Sequence, residues 1–160
     1  MIHRSELSNN YVMKNFLFIK IFVIYLFLIS NGITKQSDYF DKGIELFQKK
    51  KFDKSKTLFE KDIVFNPKNE KSYLYLAKIF NENNNDEEQE INLNSVLLLN
   101  PQNDEAIYML TLLKIKQSDY NKAKELIDKF TLVCKSFCSK ENEIREKFNK
   151  LTPENAKNNN

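Results

Sequence analysis

The four-residue motif Asn-Pro-x-Asn occurs twice in the chain, at residues 66–69 and again at residues 100–103. Its two prolines, Pro67 and Pro101, lie 34 residues apart. A fixed period of about 20 to 50 residues is typical of chains in which one small structural unit is repeated and stacked on its neighbours. Such a chain buries its apolar side chains between consecutive units, so the period constrains the fold more than any single residue does.

Side chains of matching size recur when the chain is aligned on this period. Small residues are needed where two antiparallel helices approach closely, because a large side chain from the neighbouring helix fills the space opposite. An alternative, two unrelated helical hairpins of equal length, does not account for agreement in several columns. These columns are the large Tyr39, Tyr73 and Ile107, the small Gly43, Ala77 and Thr111, the apolar Phe59, Leu93 and Ile127, and the apolar Phe65, Leu99 and Val133.

The columns resemble the tetratricopeptide repeat, a helix–turn–helix unit of this length with an early aromatic residue, a small residue soon after it and a proline near its end. The resemblance covers about residues 36–137 and divides them into units 36–69, 70–103 and 104–137. It implies an all-α fold, a short right-handed α-solenoid of three helical hairpins that binds other proteins. The residues that carry it, unit by unit, are Tyr39, Gly43, Phe52, Ser55, Phe59 and Pro67; Tyr73, Leu76, Ala77, Leu93 and Pro101; and Leu110, Tyr120, Ala123 and Ile127.

Some residues depart from the repeat pattern. In the second unit, Asp86 and Gln89 stand where an aromatic and a small residue are usual. Asp62 replaces a small apolar residue in the first unit, and Lys135 replaces the closing proline of the third. The turn between the two helices of the second unit is therefore the part of the array that the pattern specifies least.

The apolar periodicity, in a chain with only 2 Gly and 3 Pro, predicts seven helices. Asp86 is the expected N-cap of the fourth helix, with Gln89 as its capping-box partner. The predicted helices span residues 38–50, 53–65, 70–82, 87–99, 104–117, 120–134 and 140–151.

The last of these helices, within residues 138–151, is expected to cap the array. Ile144, Phe148 and Leu151 form an apolar stripe on one side of it. The last unit of a stacked array must be covered by a terminal element whose outer face is polar, and this helix has the required pattern. Residues 152–160 are expected to form a disordered tail.

Residues 1–32 have the composition of an export signal. Arg4 and Lys14 precede an uninterrupted apolar run at residues 21–29, which is long enough for a signal-peptide core and short for a membrane span of about 20 residues. Gly32 offers a cleavage position. The alternative is an uncleaved anchor helix in which residues 16–33 contact the membrane and span a thin bilayer.

Either arrangement places the repeats outside the cytoplasm, because the basic residues precede the apolar run. We therefore expect an exported protein, in the periplasm or on the outer face of the cytoplasmic membrane, or in the lumen of the secretory pathway of a eukaryote. Met13 is an alternative start, since residues 13–32 form a signal of ordinary length.

Charge and residue inventory argue against nucleic-acid binding and catalysis. Without residues 1–32, 22 basic and 21 acidic residues remain (25 − 3 and 22 − 1), whereas a nucleic-acid-binding chain normally carries a basic surplus. The single histidine, His3, lies in the export segment, so the mature chain lacks the most common general base and metal ligand. We expect no enzymatic activity, no metal and no cofactor.

Cys134 and Cys138 are the only cysteines, and an exported protein can oxidise them. If the chain turns between them, a disulfide can form and would hold the capping helix in place. If one helix runs through both residues, a bridge would be strained. A metal or redox role would require more ligands than two thiols supply.

In tetratricopeptide proteins the first helix of each hairpin lines a concave groove. The matching face of this chain is mostly apolar, and we expect it to bind an apolar segment of a protein or peptide partner, either helical or extended. An alternative is that the groove is filled by a second copy or by the chain's own tail. The predicted groove residues are Phe40, Ile44, Phe47, Leu74, Lys78, Tyr108, Leu112 and Ile115.

Relatives that bind chaperone tails use Lys, Asn and Arg in this groove to clamp a C-terminal carboxylate. That clamp is absent here, so we predict an adaptor or scaffold of the cell envelope outside this subset. The alternative is a membrane-anchored structural subunit of an envelope complex whose groove is permanently packed. The positions that match the clamp are Phe40, Ile44, Tyr75, Glu105 and Met109.

Overall fold

Helices make up most of residues 38–151, the part of the chain that this computed structural model describes. Seven α-helices and a short 3-10 helix at Cys138–Lys140 occur in that range, with no strand among them. The all-α prediction is confirmed, and each predicted helix boundary lies within two residues of the observed one. The helices are α1 (Tyr39–Gln48), α2 (Phe52–Phe65), α3 (Glu70–Glu82), α4 (Asp86–Leu99), α5 (Asp104–Lys116), α6 (Tyr120–Val133) and α7 (Glu141–Leu151).

The predicted export segment, residues 1–32, and the predicted tail, residues 152–160, lie outside the described residues. Within residues 38–151, every helix is too short or too polar to cross a lipid bilayer. The right-handed coil of the solenoid stays a prediction.

One backbone turn joins the two helices of each hairpin. Lys50, Asn84 and Ser118 have positive φ angles of 55°, 53° and 61°, and they follow one another at the 34-residue period. The residue after each of them donates its N–H to the carbonyl five residues earlier, over 2.9 Å in all three turns. This geometry ends a helix at a left-handed residue. The period read from the sequence is therefore also a period of the backbone.

Asparagine or aspartate side chains cap the N-termini of four helices. The prediction that Asp86 caps the fourth helix with Gln89 is wrong, because Asn85 holds the non-helical backbone position before the first turn. The Asn85 side chain accepts a hydrogen bond from the N–H of Glu88 at 3.2 Å. Asp86 is the first helical residue instead, and Gln89 is buried. The four capping residues are Asn69, Asn85, Asn103 and Asp119.

The helices form three consecutive hairpins, α1–α2, α3–α4 and α5–α6. Each hairpin packs on the next, with α2 against α3 and α4 against α5. The last helix, α7, packs against both α5 and α6. This order of contacts is that of a stack in which each unit touches only its neighbours.

Small residues allow the two helices of a hairpin to approach closely, as the aligned columns predict. A Cβ atom on Gly43 would lie only 2.6 Å from Cε1 of Phe59, whose side chain is fully buried. The hydroxyl of Ser55, also on α2, donates to the Gly43 carbonyl over 2.8 Å. In the second hairpin, Ala77 and Leu93 occupy the same columns and are both fully buried.

The capping helix ends the stack at its third hairpin. Ile144 aligns with Leu110 at the 34-residue period, and both are buried. Arg145 aligns with Thr111 and occupies the column that is small in the three hairpins, yet its side chain is exposed. A long charged side chain in that column is tolerated because, among residues 38–151, no second helix packs against that side of α7.

Candidate functional site

Four aromatic rings meet where the first hairpin packs on the second. Tyr75 of α3 lies at their centre, with its ring centroid 5.0 Å from that of Phe59, 5.1 Å from Phe47 and 6.0 Å from Phe40. Phe40 and Phe47 approach Tyr75 edge-on, an arrangement that aromatic quadrupoles favour. Phe59 is fully buried, whereas Phe40, Phe47 and Tyr75 are half-buried.

Lys78 continues this surface from α3 to α5. Its ammonium group lies 4.8 Å from the ring centroid of Tyr75 and 2.7 Å from Oε1 of Glu105. Both members of the ion pair have side chains that are 25% exposed. Partial burial screens the pair from water and strengthens it relative to an exposed pair. Lys78 is thus already engaged by a carboxylate and an aromatic face.

A recess of about 330 Å³ opens where α3, α4 and α5 meet. Volumes of this order are the lower end of those that hold small ligands or side chains. Apolar side chains of α5 form one wall, and amides from α3 and α4 form the other. The residues that line the recess are Asn81, Gln89, Tyr108, Met109, Leu112, Leu113 and Lys116.

Two ion pairs connect α4 to α5, and Lys116 of one of them lines the recess. The ammonium groups of Lys114 and Lys116 each lie 2.6 Å from a carboxylate oxygen of α4, on Glu90 and Asp86 respectively. Hydrogen bonding to Lys114 lowers the pKa of Glu90, so the carboxylate stays charged at neutral pH. These pairs hold the start of α4 against the end of α5, and Lys116 is not left without a partner.

The eight predicted groove residues divide into four groups in the structure. Phe40, Ile44 and Phe47 are half-buried and pack against the apolar cluster around Phe59, and Lys78 bridges to Glu105. Tyr108 and Leu112 line the recess.

The expectation that Leu74 and Ile115 face an open groove needs correction. They are only 7% and 4% exposed and belong to the core. Helices α3 and α5 are apolar around most of their circumference, and the neighbouring helices cover these two positions. The open part of the groove is therefore narrower than the sequence suggests.

Solved structures resemble this fold at low sequence identity. One is described as the first TPR of Spaghetti (RPAP3) bound to HSP90 peptide SRMEEVD, with a TM-score of 0.62 and 17% identity over 68% of this chain and 86% of that chain. Another, the CopN-Scc3 complex, has a TM-score of 0.60 and 14% identity over 78% of this chain and 72% of that chain.

This chain has a tetratricopeptide-like fold. The resemblance to the solved structures, together with the stacked hairpins, establishes the fold. No family model matches the sequence, and no curated protein is detectably similar to it.

The recess is explained by the departures of the second tetratricopeptide-like unit from the pattern. In the first unit, Phe47 packs on Phe52 with ring centroids 5.4 Å apart. Their counterparts 34 residues later are Asn81 and Asp86, which are smaller and polar. Without this ring pair, the second unit leaves an open volume beside its hairpin turn.

Gln89 is the residue that sequence reasoning missed. It occupies the column that is small in the other two units, where Ser55 and Ala123 are fully buried. The sequence did carry a signal, because a large polar residue in a small column must place its side chain outside the hairpin interface. Asn81 carried the opposite signal, because this small amide stands where the first unit has the large ring of Phe47.

Tyr108 links the recess to the capping helix. Its hydroxyl donates to Oε1 of Glu143 over 2.9 Å, and its ring lies 5.9 Å from that of Phe137. Burial and the hydrogen bond to Glu143 raise the pKa of Tyr108 to about 12. Hydrogen bonds from Lys140, Lys147 and Tyr108 lower the pKa of Glu143 to about 2. Tyr108 is therefore neutral and acts as a donor to the cap.

A disulfide closes the turn between α6 and the capping segment. Cys134 and Cys138 lie in a turn, with an S–S distance of 2.18 Å and Cα atoms 5.2 Å apart. The backbone N–H groups of the three residues between them donate to Oδ2 of Asp104, at 2.7, 2.6 and 2.9 Å. Burial raises the pKa of Asp104, but these N–H groups and that of Glu105 outweigh burial and lower it.

Within residues 38–151, no group of three or more histidine, cysteine or acidic side chains could hold a metal ion. The recess itself contains amides, apolar side chains, a tyrosine that donates to the cap and a paired lysine. This set can bind another molecule by apolar contact and hydrogen bonding.

Proposed function

We propose that this chain is a protein–protein interaction adaptor that acts outside the cytoplasm and binds an apolar segment of its partner along α3 and α5. The observation that carries the proposal is the recess between α3, α4 and α5, with Met109 and Leu112 in its wall. Burial of one large apolar side chain there would stabilise a complex by about 1.5–3 kcal/mol before ordering costs.

The similar structures support a protein partner at a coarse level. One is bound to a peptide and the other is a complex of two proteins. In the HSP90 peptide of the first, SRMEEVD, three of the last four residues are acidic. Here Lys78 and Lys116 are already paired with Glu105 and Asp86, so the site favours an apolar partner over an acidic one.

We infer that the chain is not an enzyme and that residues 1–32 direct its export. The inference on export rests on the basic residues before the apolar run at residues 21–29. Mass spectrometry of the native N-terminus tests it. A mature protein that begins near residue 33 is expected, and a cytoplasmic protein that retains residues 1–32 would contradict export.

A charge placed in the recess should abolish partner binding. We expect Leu112→Glu to reduce partner capture at least about tenfold, since the charge would have to be desolvated on binding. The matched control is Asn94→Glu on the exposed side of α4, which should capture as well as the wild type. The readout is affinity capture from the cell that makes the protein, with folding checked by circular dichroism. Equal capture by a folded Leu112→Glu variant would show that the recess does not bind the partner.

A second candidate, a subunit of a larger envelope complex, is favoured by one observation. Val64, Leu98 and Leu132 occupy the same column of the three hairpins and are 77%, 83% and 84% exposed. Apolar side chains this exposed at one repeated position are typical of surfaces that another chain covers. A native gel separates the two candidates, because an obligate subunit does not migrate alone, whereas an adaptor does.

A further inference from the structure

Gln89 places a side-chain amide at the recess without a hydrogen-bond partner among residues 38–151. The residue is only 3% exposed and lies in the recess lining. Every fully enclosed side-chain nitrogen and oxygen in that part of the chain is hydrogen-bonded, so the amide of Gln89 must reach solvent through the recess. A buried amide that water alone satisfies is ready to exchange that water for a ligand group.

The dimensions of the recess fit an extended chain. Its lining on α5 runs from Tyr108 to Lys116, eight residue-to-residue steps that span about 12 Å at about 1.5 Å per step. An extended segment of about four residues has the same length, since a strand rises about 3.3 Å per residue.

The chemistry of an amide points to the same occupant. The Gln89 side chain offers both N–H donors and a carbonyl acceptor, which is the complement of a peptide group. Inside a helix each peptide N–H is already bonded to a carbonyl, so it is not available to the side-chain carbonyl of Gln89. An extended segment leaves half or more of its peptide groups free to do so.

We propose that the recess binds the partner as an extended segment of about four residues, with one apolar side chain against Met109 and Leu112 and one peptide group hydrogen-bonded to the amide of Gln89. This inference rests on the proposed binding function. It adds the conformation of the partner and a residue that forms a hydrogen bond with the partner's backbone. Asn81, which lines the recess on the same wall as Gln89, provides a second amide.

The probe is a phage-displayed library of random nine-residue peptides, selected against the full chain. The tightest peptide is synthesised, and each of its backbone amides is N-methylated in turn. One N-methylation should weaken binding to the wild type at least about tenfold, because it leaves the Gln89 carbonyl unpaired in a buried site. In Gln89→Leu the same change should cost less than about threefold. Gln102→Leu, the same substitution at an exposed glutamine, is the control and should retain the full loss.

The outcomes separate this inference from the proposed function. If Leu112→Glu abolishes binding but the N-methylation profile is identical in wild type and Gln89→Leu, the inference is overturned and the binding function stands. Tighter binding by a helix-promoting, α-aminoisobutyrate-substituted version of the peptide also overturns the inference. Failure to select any peptide, or selection of peptides that bind Leu112→Glu equally well, overturns both.

Discussion

Gly43 shows how one missing side chain sets the spacing of a hairpin. A methyl group there would come within 2.6 Å of Cε1 of Phe59 and within 3.0 Å of its Cζ. The ring cannot move aside easily, because it is fully buried and stacked on Tyr75. Glycine lowers the intrinsic stability of a helix by about 1 kcal/mol relative to alanine, and this contact is the reason for keeping it.

We therefore expect Gly43→Ala to destabilise the fold by about 1–2 kcal/mol, since overpacking outweighs the gain in helix propensity. Urea unfolding followed by circular dichroism measures the change. In Gly43→Ala/Phe59→Leu the smaller side chain makes room for the methyl group, so the double variant should lose less stability than the two single changes combined. Additive losses would show that the contact with Phe59 is not the cause.

Asp62 shows how a charged residue can occupy an apolar column. It is fully buried, and it accepts hydrogen bonds from the amides of Asn66 and Asn69 and from the hydroxyl of Ser72, the last over 2.6 Å. At the same columns of the next unit, Val96 and Ala106 are fully buried. The polar set between α2 and α3 thus replaces an apolar contact between α4 and α5.

Asp62→Val alone should cost about 2–4 kcal/mol, because it leaves a buried hydroxyl and amide donors without an acceptor. Asp62→Val/Ser72→Ala reproduces the arrangement of the second unit and should recover at least half of that loss. Both values come from denaturant unfolding curves. A double variant that is no more stable than Asp62→Val would show that the polar set is not exchangeable for the apolar one.

The attachment of α7 is the main electrostatic feature at the scale of helices. Asp104, at the start of α5, accepts three N–H groups from the disulfide loop, and Glu143 accepts from Tyr108. Both carboxyl groups have pKa values below their ordinary values of 3.8 and 4.5. Because the folded state favours the charged carboxylates, both groups stabilise the attachment of α7 at pH values above their ordinary pKa values. This stabilisation is lost as the pH falls through the folded pKa, which is about 2 for Glu143.

The thermal stability of the chain should consequently fall as the pH is lowered from about 5 to about 2.5, with part of the fall due to Asp104. Asp104→Asn should be less stable than the wild type at neutral pH and show a shallower pH dependence. Asp128→Asn, at an exposed aspartate of α6, provides the control and should follow the wild-type curve. The measurement is the melting temperature by circular dichroism at each pH. Parallel curves for all three proteins would contradict a role for Asp104.

At the scale of the whole molecule, the repeat period predicts the architecture because it is imposed by packing. Gly43, Ala77 and Thr111 must be small wherever two helices meet, so the column is visible without a structure. Burial of Leu74 and Ile115 was not predictable, since the covered side of an apolar helix depends on its neighbours. The recess was not predictable either, because it results from the absence of large aromatic side chains at Asn81 and Asp86.

The central claim is that stacked hairpins leave a recess in the second unit that receives a partner protein. Site-specific photocrosslinking tests this most directly, with a benzophenone side chain at Met109 inside the recess or at Asn94 on the exposed side of α4. After irradiation in the cell that makes the protein, we expect one discrete partner to be linked from position 109 and not from position 94. Crosslinks from position 94 alone, or none from position 109 while the chain is folded, would contradict the claim.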